Sequence, residues 1–413
     1  MSVTQRLVLQ AIPLNLGDIP QAHLDIEVKT RANLLPWRGQ FSPQLVQALI
    51  ERYAASDGIV LDPFAGSGTV LYEAGRHDLR ALGVEINPAA CVLARTYELM
   101  NFDRQSRRAL LEEIDHLLEE HIPRPMPLLD RAHGQLGSKE VTQALCRLHP
   151  KVANDSSRAL LETLMVKVDF SRTDITDQRI FREWQAIRAM AMALPESDRP
   201  VRVLNCDARA MPLPDHIVDL VITSPPYINV HNYHEQYRRS AEALGWRLLK
   251  VAQSEIGANR KHRVNRFLTV VQYCLDMTQA LSEITRVAKP GARIIAVVGR
   301  ESTVRGIPFD NGEMVAQLGV ACTGLTLLTR QERVFTNRFG ERIYEDILHF
   351  IPGTNSQEDP LQRARSVAQD FLTRARSKAD APVCRAVEAA LRAVETVQPS
   401  PIYDSAKAHQ TIT

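Results

Sequence analysis

The sequence predicts an α/β fold built on an open, mostly parallel sheet with helices on both faces, and three observations predict it. Short, mainly apolar runs at 59–62, 81–85, 201–205, 218–223 and 293–298 have strand length, and the continuous apolar character of the first two is that of strands buried on both sides. Helical periodicities stand between them, opening at Thr69 and Pro88 and again over 267–287, the alternation of an α/β sheet. Near the end, 324–335 and 343–351 read as a closing antiparallel pair around the turn Arg338-Phe339-Gly340.

Residues 1–40 read as loop punctuated by Pro13, Pro20 and Pro36, apart from a strand at 6–11. A helix starts near Pro43: Ser42 stands at its cap, and Leu45, Val46, Leu49 and Ile50 share one face. The strand 59–62 runs into the turn Gly66-Ser67-Gly68, and a helix follows from Thr69 to Arg76. After the strand 81–85, Pro88 sits in the first turn of the next helix, where a missing N–H costs little. Between 101 and 199 the signals turn mainly helical. Leu110, Leu111, Ile114, Leu117 and Leu118 recur at helical spacing before Pro123, Pro125 and Pro127 break the run, and further helices fit 156–168 and 178–194. This stretch reads as a helical insertion. Strands return at 201–205 and 218–223, then a polar, basic segment, then the amphipathic helix 267–287, which Lys289-Pro290-Gly291 stops before the strand 293–298. Beyond Pro352 the chain is charged and rich in Ala and Arg, with few large apolar residues, and a helical or flexible, peripheral tail is expected. The organisation expected is an N-terminal segment and first half of the sheet at 1–100, the insertion at 101–199, the second half at 200–352 with a basic segment at 228–266, and the tail at 353–413.

With 413 residues, 45% hydrophobic and 24% charged, the composition is that of an ordinary globular chain with a sizeable core. The net charge of +2 means that nucleic-acid binding has to be argued from local clustering rather than from bulk charge. The six cysteines show neither C-x-x-C nor Cys/His spacing, no signal peptide opens the chain, and no apolar stretch reaches membrane-spanning length. A reduced, cytoplasmic protein with no metal site and no membrane span is expected.

The segment Asp62-Pro63-Phe64-Ala65-Gly66-Ser67-Gly68-Thr69 follows a strand and opens a helix, the setting in which a Gly-rich turn lets a ligand approach the backbone. A tight strand-to-helix turn explains a lone G-x-G equally well. Glu85, nineteen residues after Gly66 at the end of the next strand, tilts the reading toward a nucleoside, because an acid there accepts bonds from both ribose hydroxyls. The chain has neither G-x-x-x-x-G-K-[ST] nor a full G-x-G-x-x-G, so it lacks the usual means of cradling a pyrophosphate. S-adenosylmethionine (SAM), a nucleoside without phosphates, fits.

The strand 218–223 ends in Ser224-Pro225-Pro226-Tyr227. Ligands of open parallel sheets bind beyond the carboxyl ends of strands where strand order reverses, so if this strand neighbours that of Asp62 the two motifs face one crevice. The motif resembles the catalytic turn of amino-methyltransferases that act on DNA bases, and the exocyclic amine that such a resemblance implies as target is a poor nucleophile because its lone pair is delocalised into the ring. Acceptors at its two N–H bonds favour a tetrahedral nitrogen, and Ser224 Oγ and the Pro225 carbonyl are the candidates, held in place by stiff prolines, Pro226 included. Tyr227 would stack on a base extruded from the duplex. Flipping costs a few kcal/mol, of which stacking returns about 1–3 kcal/mol. A proline-rich turn ending a strand is the plain alternative. Carbon-5 methylation needs a cysteine nucleophile, usually after a proline, and no cysteine here follows one.

DPFAGSGT followed by GVEINP, and later TSPPY, resembles the SAM-dependent amino-methyltransferases that act on DNA bases, over about 33–100 and 200–300. The resemblance implies a Rossmann-like class I methyltransferase sheet, with the insertion and tail outside it. It places Phe64, Gly66 and Gly68, in the turn from Asp62 to Thr69, around the methionine part of SAM, Glu85 on its ribose and Ile86 beside its adenine. Asp207, in Asn205-Cys206-Asp207-Ala208, falls near the adenine amino group, although a plain loop aspartate is an equal explanation there. The stretch 36–43, with Ser42, falls beside the methionine carboxylate, although helix capping explains much of it. Within the family S-P-P-Y goes with cytosine N4, D-P-P-Y with adenine N6, and N-P-P-Y with adenine N6 or glutamine side chains. Ser224 thus points to cytosine N4 in duplex DNA. Adenine N6, an RNA base, and a nucleoside-binding module without catalysis remain the rival readings. The cofactor motif precedes the catalytic one by roughly 155 residues, the reverse of many S-P-P-Y enzymes. A cognate restriction endonuclease is the implied partner, and the oligomeric state stays open.

From Ile228 to Phe267 the chain carries Arg238, Arg239, Arg247, Lys250, Arg260, Lys261, Arg263 and Arg266 against Glu235, Glu242 and Glu255. Following the catalytic loop directly, these cations are expected to meet phosphates beside the flipped base. A solvated helix face is the alternative.

Overall fold

The computed structural model describes residues 9–123, 138–228, 233–258, 262–337, 340–353 and 359–409. Its strands are β1 (Ile59–Asp62), β2 (Arg80–Val84), β3 (Val201–Leu204), β4 (Val218–Thr223), β5 (Ala288–Gly299), β6 (Glu301–Val304), β7 (Ile307–Asp310), β8 (Thr326–Thr336) and β9 (Arg342–Ile351). Seven form one sheet in the order β3-β2-β1-β4-β5-β9-β8, and β6 and β7 make a separate hairpin. β1 pairs in parallel with β2 and β4, whereas β9 runs antiparallel to both β5 and β8. Strand order reverses between β1 and β4, the point where open α/β sheets hold ligands. This is the Rossmann-like sheet with an antiparallel closing strand that the sequence predicts.

Alternation along each strand explains why the apolar runs are continuous. Val60, Leu220, Ile222, Ile295 and Val297 face one buried layer, and Leu61, Val221, Ile294, Ala296 and Val298 face the other. Side chains of a strand alternate between faces, so the middle of a sheet covered on both sides is apolar in both directions, whereas β3 at the edge exposes Arg202. Each such side chain, fully buried, contributes about 1.5–3 kcal/mol.

The first layer is built from α1 (Gln21–Asp25), α2 (Pro43–Tyr53), α3 (Thr69–Arg76), α4 (Pro88–Arg95), α5 (Arg104–His121), α6 (Ser138–Leu148), α7 (Asp155–Val168), α8 (Asp177–Ala193), α9 (Arg238–Ala243) and α10 (Leu248–Ser254). α5, α7 and α8 start at Asp103, Asn154 and Thr176, whose side chains accept backbone N–H bonds of the first turn, the usual capping chemistry. Arg107 is buried, and its guanidinium donates to the carbonyls of Leu99, Phe102 and Pro195 at 2.8–2.9 Å. Those bonds tie the insertion to the end of the first half of the sheet. The second layer holds α11 (Leu268–Val287), α12 (Asn311–Gln317), α13 (Pro360–Ser377) and α14 (Ala381–Arg392), and α15 (Ser405–Ala408) returns to the first layer. Among the described residues no helix is long and apolar enough to cross a membrane.

Three local expectations need correction. Leu9–Ala11 forms a 3-10 turn rather than part of a strand at 6–11, and residues 6–8 lie outside the described residues. Lys289, Pro290 and Gly291 belong to β5 itself, where the pairing with β4 shifts register between Val218 and Leu220. Gly291 takes φ +81° there, the left-handed region a side chain resists. The tail is helical but not peripheral: Ala364, Ala368, Phe371 and Leu372 of α13 are buried in the second layer. Small alanines at helical spacing let α13 lie close against the core, and few large apolar residues are then needed.

Candidate functional site

Asp62 ends β1 at 2% exposure. Its Oδ1 accepts the Phe64 N–H at 3.0 Å and the Thr223 hydroxyl at 2.7 Å, which joins the carboxyl ends of β1 and β4. Burial pushes its carboxyl up to about 7, against the pull of those two bonds. Gly66, at φ +52°, donates its N–H to Glu85 Oε2 at 2.8 Å, and the Asn87 N–H reaches Glu85 Oε1 at 2.7 Å. Burial likewise pushes the Glu85 carboxyl up to about 7 while the backbone bonds oppose it. A Cβ at Gly66 would stand 3.2 Å from the Trp37 ring, so the turn and the loop before α2 close on each other.

These groups open onto a cavity that is lined by the loop 37–41, by Asp62, Phe64, Gly66 and Thr69, by Glu85 and Ile86, by Asp207, and by Ser224 and Pro226. The turn after β1 and the loop after β4 thus share one pocket, with Tyr233 and Glu255 completing its wall. Two residues expected at the cofactor are elsewhere. Gly68 is absent from the wall: at φ +88° it begins α3, and a Cβ there would lie 2.9 Å from Tyr97 and 3.0 Å from Ala94. Helix packing, not ligand approach, requires that glycine. Ser42 precedes α2 but makes no side-chain capping bond, and it lines a neighbouring cavity instead.

In the loop after β4, Ser224 Oγ lies 3.2 Å from Tyr227 Oη. Pro225 and Tyr227 are not among the residues that line the cavity. The Tyr227 ring rests against Gly299, where a Cβ would come within 3.1 Å, and burial pushes its phenol up to about 12. Its carbonyl is 2.6 Å from a Cβ built at Gly257, so both glycines make room for the loop.

Asp207 lines the cavity, but its carboxylate is engaged. Arg209 donates Nε to Oδ1 at 2.9 Å and Nη2 to Oδ2 at 2.7 Å, and the Tyr403 N–H reaches Oδ2 at 2.8 Å. Arg209 also pairs with buried Asp276 at 3.1 Å and donates to the Ser400 and Pro401 carbonyls at 2.9 Å. Tyr403 Oη bonds Asn205 Oδ1 at 2.6 Å. The end of the chain is therefore bolted to the loop after β3, an arrangement with no local sequence signal because its partners lie almost 200 residues apart.

Of the basic segment, Arg238 and Arg239 open α9. Arg238 is paired with Glu235 and Glu242, whereas Arg239 and Arg263 are exposed. Arg260 and Lys261 lie outside the described residues. Among the described residues no group of three or more His, Cys, Asp and Glu is placed to hold a metal.

Residues 23–96 match the family described as DNA methylase. The chain is 34% identical over 76 residues to the Type II methyltransferase M.MjaII of Methanocaldococcus jannaschii, covering 18% of this chain and 14% of that protein. It is 22% identical over 345 residues to the Type II methyltransferase M.BsoBI of Geobacillus stearothermophilus, covering 68% and 66%. The chain thus spans less than two thirds of the length of these curated relatives. Among solved structures, a SAM-dependent methyltransferase of Methanosarcina mazei aligns with 74% of this chain and 98% of its own at TM-score 0.34 and 12% identity.

Proposed function

We propose, from residues 23–96 carrying the signature of the DNA amino-methyltransferase family, that the chain is a SAM-dependent methyltransferase acting on an exocyclic amine in DNA, with cytosine N4 the target. The observation that carries this reading is the shared cavity, in which the turn from Asp62 to Thr69 and the loop at Ser224 meet at the reversal of strand order.

The wall suits SAM. Four acids, Asp62, Glu85, Asp207 and Glu255, line the pocket with one cation, Arg38; Asp207 is paired with Arg209 and Glu255 with His234, so it is the ionised forms of Asp62 and Glu85 that favour a cationic ligand. Bound there, SAM supplies an electrophilic sulfonium methyl. Glu85 keeps lone pairs for ribose hydroxyls while Gly66 and Asn87 hold its carboxylate in place. Ile86 and Phe64 supply apolar surface on either side of that acid, and Asp62 keeps β1 and β4 in register through Thr223. Ser224 Oγ, hydrogen-bonded to Tyr227 Oη, is the proposed first acceptor of the amine, and the Pro225 carbonyl is the proposed second. Arg239 and Arg263, exposed beside this loop in the chain, are proposed phosphate contacts. A cognate endonuclease of a restriction system is the proposed partner.

The test is expression in a host without DNA methylation, followed by mass spectrometry of nucleosides and single-molecule sequencing. N4-methylcytosine at one short sequence is expected. N6-methyladenine alone overturns the base assignment, and modified RNA beside unmodified DNA overturns the substrate class.

A further inference from the structure

We infer that Arg333, oriented by Glu345, reads the ring edge of the target base and selects cytosine over adenine. This rests on the methyltransferase reading above and names the specificity-determining residue of that site. Gly299, Glu345 and Arg333 stand directly opposite one another on β5, β9 and β8. Cross-strand partners project to the same face of a sheet, and at Gly299 that face is covered by the Tyr227 ring. The row therefore begins at Tyr227, whose hydroxyl touches Ser224, and ends at Arg333 two strand spacings away, about 10 Å, the reach of one base.

Arg333 is 7% exposed and donates Nη1 to Glu345 Oε2 at 2.8 Å, while its Nε has no hydrogen-bond partner. Its guanidinium lies 4.4 Å from the centre of the Phe335 ring. Arg333, Glu345 and Phe335 line a second, open cavity, which shares Gln40 and Phe41 with the nucleoside cavity as a common wall. Arg333 thus carries a buried N–H without a partner and lines a cavity that adjoins, through Gln40 and Phe41, the one at Ser224, and such an N–H calls for an acceptor from the ligand.

Cytosine supplies two. With its amine at Ser224, the next positions around the ring are N3 and O2, both acceptors. The equivalent positions of adenine are N1, an acceptor, and C2–H, which accepts nothing. The planar fork of arginine is satisfied twice by cytosine and once by adenine, and the unpaired buried N–H opposes the wrong base. Glu345 holds the fork in plane, and burial raises its carboxyl above the usual range while Arg333 opposes that shift.

Wild type, Arg333→Gln and Arg333→Lys are compared on DNA from a methylation-free host with labelled SAM. Product nucleosides are identified by mass spectrometry and SAM affinity is measured by calorimetry. We expect N4-methylcytosine from wild type, and a loss of at least about tenfold in kcat/KM for DNA in Arg333→Gln with SAM affinity within about twofold. Arg333→Lys, which keeps the charge and loses the fork, should fall between them. A Gln variant at full rate overturns this role and leaves the methyltransferase reading standing. Should the Gln variant fail to bind SAM, the Lys variant decides: full rate overturns the role, and a reduced rate with SAM affinity retained supports it. N6-methyladenine from wild type overturns this role and the base assignment but leaves the methyltransferase reading standing, whereas RNA methylation or no methylation overturns both readings.

Discussion

At the scale of single residues, the site is governed by two carboxyls that burial pushes up to about 7, Asp62 and Glu85. An acid whose folded pKa is raised holds its proton more tightly when folded. Its stabilising contribution is complete below about pH 4 and is lost as pH rises through about 7. The thermal midpoint of the ligand-free protein should therefore fall between about pH 5 and about pH 8, and Glu85→Gln should flatten that slope in calorimetric scans. A cationic ligand favours the ionised acids, so SAM affinity should rise across the same interval with release of protons. Ser224→Ala should lower kcat about 10- to 100-fold without weakening SAM binding, measured as single-turnover rate beside calorimetry. Glu85 and Ser224 were legible in the sequence because each ends a strand in a recognisable turn. Arg333 was not, since nothing near it in the chain announces a pocket.

Among elements, the turn between β1 and α3 divides its two glycines between two tasks. Gly66 faces the Trp37 ring at the cavity, whereas Gly68 lets α3 begin against Tyr97 and Ala94. Gly68→Ala combines φ +88° with a contact under 3.0 Å and should destabilise the fold by about 1–3 kcal/mol in denaturant titrations, a structural loss rather than a specific loss of SAM affinity. The motif was readable as a motif, but the assignment of each glycine needed the neighbouring helix. The same holds for β8 and β9: their antiparallel pairing follows from two apolar runs around a turn, while the register that sets Arg333 opposite Glu345 does not.

For the molecule as a whole, the end of the chain returns through Ser400, Pro401 and Tyr403 to a buried cluster of Arg209, Asp207 and Asp276. Removing the cation from such a cluster leaves two buried carboxylates opposed to each other. Arg209→Ala should cost about 3–5 kcal/mol, measured by chemical unfolding. It should also loosen the loop around Asp207, detectable as faster hydrogen exchange at 205–208 and 400–403.

Periodicity, turns and the two motifs were determined by residues close to one another in the chain, and for that reason the alternation of strands and helices, the Gly-rich turn after β1 and the S-P-P-Y loop could be read from sequence. Which strands became neighbours, which groups came to face one cavity, and where the tail docked were decided only by packing, because those contacts join residues up to about 200 positions apart. Side-chain patterns at each end allow many such pairings, and it is the burial of both sheet faces together that selects one.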